Sequence, residues 1–248
     1  MSTIYILWLR QIKRYLRSRS RIIGSLGQPV LFLVALGFGF GPIFQKAGQG
    51  NYIEFLAPGI IAMSILFTAI FSGVEMIWDR QFGFLKETLV APVSRLNIMI
   101  GRVFGGATAS VFQGIIVLVI SLIAGFRINS IGVIFFSLIF MILISLLFTA
   151  LGTAIASMLE DFQGFQLIMS FLVMPIFFLS GALFPLGGLP QAMKIVAAVD
   201  PLSYGVDGLR YALTGASHFG IGIDIAVLSI ITFLLLVIGS FLFSRIEV

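Results

Sequence analysis

Cysteine is absent from the 248-residue sequence, histidine occurs once, and charged residues make up only 10% of it. Each scarcity removes a class of chemistry. Without thiols there is neither a disulfide framework nor a thiolate metal site. A lone His218, in a loop stretch and outside any HExxH pattern, gives an intramembrane hydrolase neither a metal cluster nor a nucleophile–base pair. No GxxxxGK[ST] loop occurs, so the chain cannot hold ATP in the P-loop manner, and any uphill work must draw its energy from another chain. Charge is scarce where it would matter most. The bodies of the apolar runs lack ionisable groups, leaving only Glu75 and Asp224 near their ends, which disfavours a proton- or ion-coupled carrier.

What the chain has in excess is apolar surface. It is 59% hydrophobic, with a mean hydropathy of +1.14, more than a soluble core of this length can hide. Charge-free runs long enough to cross about 30 Å of hydrocarbon at about 1.5 Å per residue recur along it, so helices rather than a barrel are indicated. The expectation is an all-α integral membrane protein, a single domain over 1–248. Its six transmembrane helices lie at about 22–44, 55–78, 98–126, 131–159, 162–184 and 221–243.

Before the first span, residues 1–21 form a basic amphipathic helix. Arg10, Lys13, Arg14, Arg17, Arg19 and Arg21 oppose a stripe of Ile4, Trp8, Ile12, Tyr15 and Leu16, with no acid among them. Arg10, Lys13, Arg14 and Arg17 are therefore assigned to the membrane interface, on the cytoplasmic leaflet, with contact to a cytosolic partner as the alternative. No small-residue cleavage pattern closely follows the next apolar run, so the first span is expected to be retained. Glu75 is expected at headgroup level, beside Asp79 and Arg80. In the first span, Gly37 and Gly41 either permit close helix approach or mark a loosely wound exit. Gly101, Gly105 and Ala109 in the third form a seam of small residues for another helix, and Pro175 interrupts the fifth.

Residues 185–218 carry Lys194, Asp200, Pro201, Asp207 and Arg210, too many charges for a span, since each costs about 2.5–3.5 kcal/mol at a bilayer centre. Two short outer helices fit instead. Pro190 opens the first; Asp200 caps the second, with Pro201 at its first position and its end near Gly215. Asp207 and Arg210, three apart, are placed to pair across one turn. With this topology, eleven of the 15 basic residues fall on the inner side and four on the outer, which puts both termini in the cytoplasm.

The segment at 79–97 between the second and third spans is short and mixed in charge. Phe82, Leu85, Leu89 and Leu96 share one helical stripe, while Lys86, Glu87 and Arg95 point elsewhere. Pro92 forces Ala91 out of the helical region, and Ser94 can cap the next helix. The segment reads either as an interfacial anchor or as a docking helix on which something outside the membrane pushes.

The stretches FGFLKETLVAPVSRLNIMIGR, FFLSGALFPLGGLP and DPLSYGVDGLRYAL resemble the type-two ABC transporter permeases, most closely the daunorubicin-resistance-like and polysaccharide-export-like branches, and the resemblance covers essentially the whole chain. It implies the membrane subunit of an ATP-driven exporter of an amphipathic drug-like, lipid-linked or polysaccharide substrate, in the cell (inner) membrane. By resemblance, Phe82, Gly83, Leu85, Lys86, Glu87, Leu89, Pro92 and Arg95 belong to a cytoplasmic coupling helix that docks in a separate ABC ATPase subunit. Asp200, Pro201, Tyr204, Asp207 and Arg210 belong to the outer re-entrant helical pair. The working unit is two permeases, as a homodimer, with two ATPases. This chain is expected to bind no cofactor, ATP and Mg residing on the partner, and no nucleic acid. The reading from a different class is a nucleotide-independent channel or assembly protein.

Overall fold

The computed structural model describes residues 2–47, 50–83, 93–128, 131–159, 161–188 and 190–244. Leu85, Lys86, Glu87, Leu89 and Pro92 of the expected coupling helix lie outside the described residues, so only Phe82, Gly83 and Arg95 of that group are placed.

The architecture is all-helical among the described residues. It runs α1 (Thr3–Arg17), α2 (Arg19–Lys46), α3 (Tyr52–Phe71), α4 (Val74–Gln81), α5 (Arg95–Ile123) and α6 (Ile131–Met158). The chain continues through α7 (Phe162–Ile168), a π-helical turn (Met169–Val173), α8 (Met174–Leu179), a 3₁₀ turn (Leu186–Gly188), α9 (Gln191–Val199), α10 (Pro201–Thr214) and α11 (Ile221–Ser244). Six helical stretches are long and apolar enough to cross a membrane: Arg19–Lys46, Tyr52–Gln81, Arg95–Ile123, Gly132–Met158, Phe162–Leu179 and Ile221–Phe243. The protein is thus an all-α membrane protein.

Local chemistry explains where these elements begin. The side chains of Ser2, Asn51, Ser94, Asp161 and Asp200 each accept a hydrogen bond from a backbone N–H in the first turn they cap, at Tyr5, Ile53, Asn97, Gly164 and Leu202. Gly215 closes α10 at φ 81°, a left-handed conformation open to glycine without strain. Pro175 cannot donate a backbone hydrogen bond in the fifth span, and the chain absorbs that loss in the π turn immediately before α8. That span ends at Leu179 rather than near 184. The second span is also not uniform. It is locally perturbed at Ser72–Gly73, where both residues keep right-handed helical dihedrals and Gly73 lies against the Gly152 backbone of α6, before α4 carries the stretch on to Gln81.

The core is centred on α3, whose Leu56, Ile60, Ile61, Met63, Ile65 and Leu66 are fully buried, ringed by α2, α5, α6 and α10. At one end of the bundle, which we call the basic end, α4 meets α1 and the start of α5. At the other, α10 packs on α6, α11 and the start of α3, with α9 against α10 and α8. The small-residue seam of α5 does receive a helix, and it is α1. A Cβ added at Gly101 would lie 2.9 Å from Leu7 Cβ, and one at Gly105 would lie 2.5 Å from Gln11 Cβ. Gly37 approaches Ile53, whereas nothing lies within 4 Å of the corresponding position at Gly41, so the two glycines of the first span do not form a common packing face.

Candidate functional site

The docking of α1 on the α5 seam brings its basic face onto two acids of α4. Glu75 and Asp79 are spaced four apart and share a helix face; both are 4% exposed. Asp79 Oδ1 accepts from Arg10 Nη2 at 3.0 Å and from Arg14 Nη1 at 3.4 Å, while its Oδ2 accepts from Arg102 Nη2 of α5 at 2.7 Å. Glu75 Oε1 accepts from Arg21 Nη1, and its Oε2 lies 3.8 Å from Arg14 Nη1. Arg102, also 4% exposed, has no water to fall back on, so Asp79 is its essential counter-ion.

This cluster adds detail to two sequence-based expectations. Glu75, expected beside Asp79 and Arg80, is buried and paired with Arg21 and Arg14. Of the four residues assigned to the interface, Lys13 and Arg17 are exposed, but Arg10 and Arg14 turn inward to Asp79. Amphipathic periodicity had grouped all the arginines on one polar face, yet acids across the fold split that face in two. The signal was present in the paired spacings 10/14 and 75/79, together with the isolated Arg102 in an apolar run. What the sequence did not supply was their proximity, because the partners lie 65 and 69 positions apart.

Next to the cluster, Tyr15 OH donates to Gln113 Oε1 at 2.5 Å. Burial pushes the Tyr15 phenol up to about 12, so it remains a donor at physiological pH. Arg80 Nη1 donates to the Leu159 carbonyl at 3.2 Å, tying α4 to the end of α6. Directly after α4, Phe82 is 76% exposed and Gly83 adopts φ 80°, so the chain leaves α4 in a turn. It re-enters the fold at Arg95, the first residue of α5.

The opposite end carries the other predicted group. Asp200 and Pro201 open α10 as expected, and Tyr204 OH donates to the Ala198 carbonyl at 2.6 Å, which fastens α10 to α9. Asp207 and Arg210 do not pair. Asp207 accepts from Ser217 Oγ and from the backbone N–H groups of His218 and Phe219 at 2.8–3.0 Å, organising the loop into α11. Arg210 Nη2 donates to the Gly181 carbonyl at 2.9 Å, and its guanidinium lies 4.2 Å from the Phe55 ring centroid. The loop N–H groups satisfy the carboxylate, and the carbonyl and ring hold the guanidinium, so the one-turn ion pair is superseded. Burial lowers Arg210 to about 10 and raises Asp200 to about 7.

No group of three or more metal-ligating side chains occurs among the described residues. At the basic end a short helix is joined by ion pairs to α1, α2 and α5, and the chain emerges from it into the segment between α4 and α5.

The model of a protein family described as ABC-2 type transporter matches residues 2–214 of the chain. The putative transport permease ycf38 of Cyanophora paradoxa is 27% identical over 261 residues, an alignment covering 98% of this chain and 88% of that protein. Nodulation protein J of Rhizobium leguminosarum bv. viciae is 27% identical over 211 residues, covering 84% and 81%. The inner membrane transport permease YadH of Escherichia coli (strain K12) is 27% identical over 215 residues, covering 84% and 82%.

Proposed function

Because the chain belongs to the ABC-2 type transporter family, and is therefore a multi-pass membrane component of a transport system, we propose that it is the permease subunit of an exporter driven by a separate ATPase subunit. The proposed cargo is an amphipathic drug-like, lipid-linked or polysaccharide molecule, moved out of the cytoplasm between two copies of this chain. The first and fifth spans form the proposed interface, with Gly24 of one copy near Leu172 of the other. ATP and Mg belong to the ATPase, consistent with the lack of a P-loop here.

One observation carries this reading: the ionic cluster that fastens α4 to α1, α2 and α5. In the proposed mechanism the ATPase grips the apolar stripe of Phe82, Leu85 and Leu89 on the cytoplasmic side, and nucleotide-driven closure displaces the segment. Because α4 is clamped at Asp79, it moves with α1 and the start of α5 as one lever. The long spans behind that lever then reorient. The basic face left exposed by Lys13 and Arg17 borders the ATPase or anionic headgroups.

The test uses aspartate on the stripe. Burying one leucine in a partner cleft contributes about 1.5–3 kcal/mol, and a buried charge adds a desolvation cost. Leu85→Asp and Leu89→Asp are expected to insert normally but to lose the ATPase subunit on purification and to lose export, while Thr88→Asp, off the stripe, keeps both. Normal ATPase retention and export by both stripe variants would reduce the segment to an interfacial anchor.

A further inference from the structure

Beside the ionic cluster, α1, the start of α2 and the end of α4 border an open groove of about 1180 Å³. Five of its lining side chains are cationic, Arg10, Lys13, Arg14, Arg17 and Arg19, and Asp79 is the one acid among them. The cluster uses only part of that charge. Arg10 and Arg14 pair with Asp79, whose other oxygen holds Arg102. Lys13, Arg17 and Arg19 are exposed and join no ion pair among the described residues. Neither α1 nor the first turn of α2 carries an acid, so no neighbour on either helix neutralises them. Three like charges gathered at one corner repel one another, and an anion placed between them relieves that repulsion.

Position selects the kind of anion. Arg19 opens the first membrane-crossing stretch and Asp79 stands near the close of the second, so the groove lies where the chain leaves the hydrocarbon. From Arg19 an exposed stripe descends α2 through Ile23, Gly27 and Leu31, spaced four apart and so on one helix face. Ile23 and Leu31 are 69% and 63% exposed, and nothing lies within 4 Å of a Cβ added at Gly27. The result is an apolar track with a shallow notch, hung below a cationic corner. A free phosphate or an acidic peptide would use the corner and leave the track; a zwitterionic lipid would use the track but bring an ammonium to the arginines. We propose that this corner of α1 and α2 is a binding site for an anionic phospholipid, its phosphate at Lys13, Arg17 and Arg19 and an acyl chain along Ile23, Gly27 and Leu31. Ser18 and Ser20, also in the groove, carry hydroxyls that donate to phosphate oxygens. The site goes beyond the exporter reading and requires no ATPase.

The test follows the unfolding midpoint of the full chain in a neutral detergent, because a ligand held only by the folded chain raises it. Separate titrations use dihexanoyl phosphatidylglycerol, dihexanoyl phosphatidylcholine, inorganic phosphate and hexaglutamate. Phosphatidylglycerol is expected to give a saturable rise, and each of the others to need at least about tenfold more for the same rise. Lys13→Gln, Arg17→Gln and Arg19→Gln should each keep the lipid-free midpoint, since none of the three joins an ion pair among the described residues. Each should weaken phosphatidylglycerol about fivefold, the worth of one basic side chain near an anionic surface, and the three together about 100-fold. Equal potency of hexaglutamate would make the corner a docking surface for an acidic protein, and equal potency of inorganic phosphate would make it a bare anion site. Either result, equal potency of the two phospholipids, or undiminished binding in all three single variants would overturn the proposal. The titration contains no ATPase, so its failure leaves the exporter reading standing, and loss of that reading leaves the titration unaffected.

Discussion

Replacing Asp79 by Ala removes the carboxylate that faces Arg10, Arg14 and Arg102. Arg10 and Arg14 are each more than a third exposed and recover hydration at little cost. Arg102 cannot. With 4% of its side chain exposed, it becomes a buried charge with no counter-ion, and breaking such a pair costs about 3–5 kcal/mol. At about 2–4 °C per kcal/mol for a chain of this size, the unfolding midpoint should fall by roughly 6–20 °C. The assay is thermal unfolding of the purified protein in one detergent, followed by intrinsic fluorescence. Lys13→Ala, on the exposed side of the same helix, should move the midpoint by no more than about 2 °C, as expected of a surface change. Adding Arg102→Met to Asp79→Ala removes the stranded charge and should recover a large part of the loss, because an apolar replacement of a buried pair is often near neutral. A midpoint for Asp79→Ala as high as that of Lys13→Ala, or no recovery in the double variant, would refute the claim that this buried pair clamps α4.

Gly105→Leu should push α1 off its seam, since even a Cβ there would be 2.5 Å from Gln11 Cβ; the expected outcome is protease sensitivity at the N-terminal helix with the six spans still inserted. Asp200, held at about 7 by burial, binds its proton more tightly in the folded than in the unfolded chain. It therefore contributes stability below about pH 4 that is lost as pH rises toward 7. Asp200→Asn keeps the capping acceptor for Leu202 and should flatten that part of the unfolding-midpoint profile between pH 4 and 7.

The elements announced by local chemistry were legible in the sequence. Asp200, Pro201 and Gly215 bracket α10 because a cap, a fixed φ and a left-handed exit are decided within a few residues. The spans were legible because hydrocarbon thickness sets their length, and the membrane family was legible from three stretches of the chain. Legibility failed where a side chain's partner is distant. Gly101 and Gly105 marked a face for close packing, but only the fold showed that α1 occupies it. Asp207 was three residues from Arg210 and still chose the following loop, whose Ser217 hydroxyl and two N–H groups offer three donors where the arginine offered one charge. Pro175 signalled a disturbance without revealing that a π turn would absorb it. Glu75 and Asp79 do close a span, as hydropathy indicated, but hydropathy carries no mark of their arginine partners on three other helices. Within the expected coupling segment only Phe82, Gly83 and Arg95 are placed, so the role of that segment rests on its apolar stripe and on the family.

The most direct test of the central claim, that an ATPase engages the segment between α4 and α5, is site-specific crosslinking. The absence of native cysteine makes a single Thr88→Cys or Gln191→Cys uniquely addressable. Each variant, in membranes containing the ATPase subunit, is treated with a short heterobifunctional reagent joining the thiol to nearby amines. Thr88→Cys is predicted to yield a permease–ATPase adduct whose amount changes between ATP-bound and nucleotide-free states, and Gln191→Cys to yield none. An adduct at position 191, or none at position 88 under conditions where the ATPase co-purifies, would contradict the account.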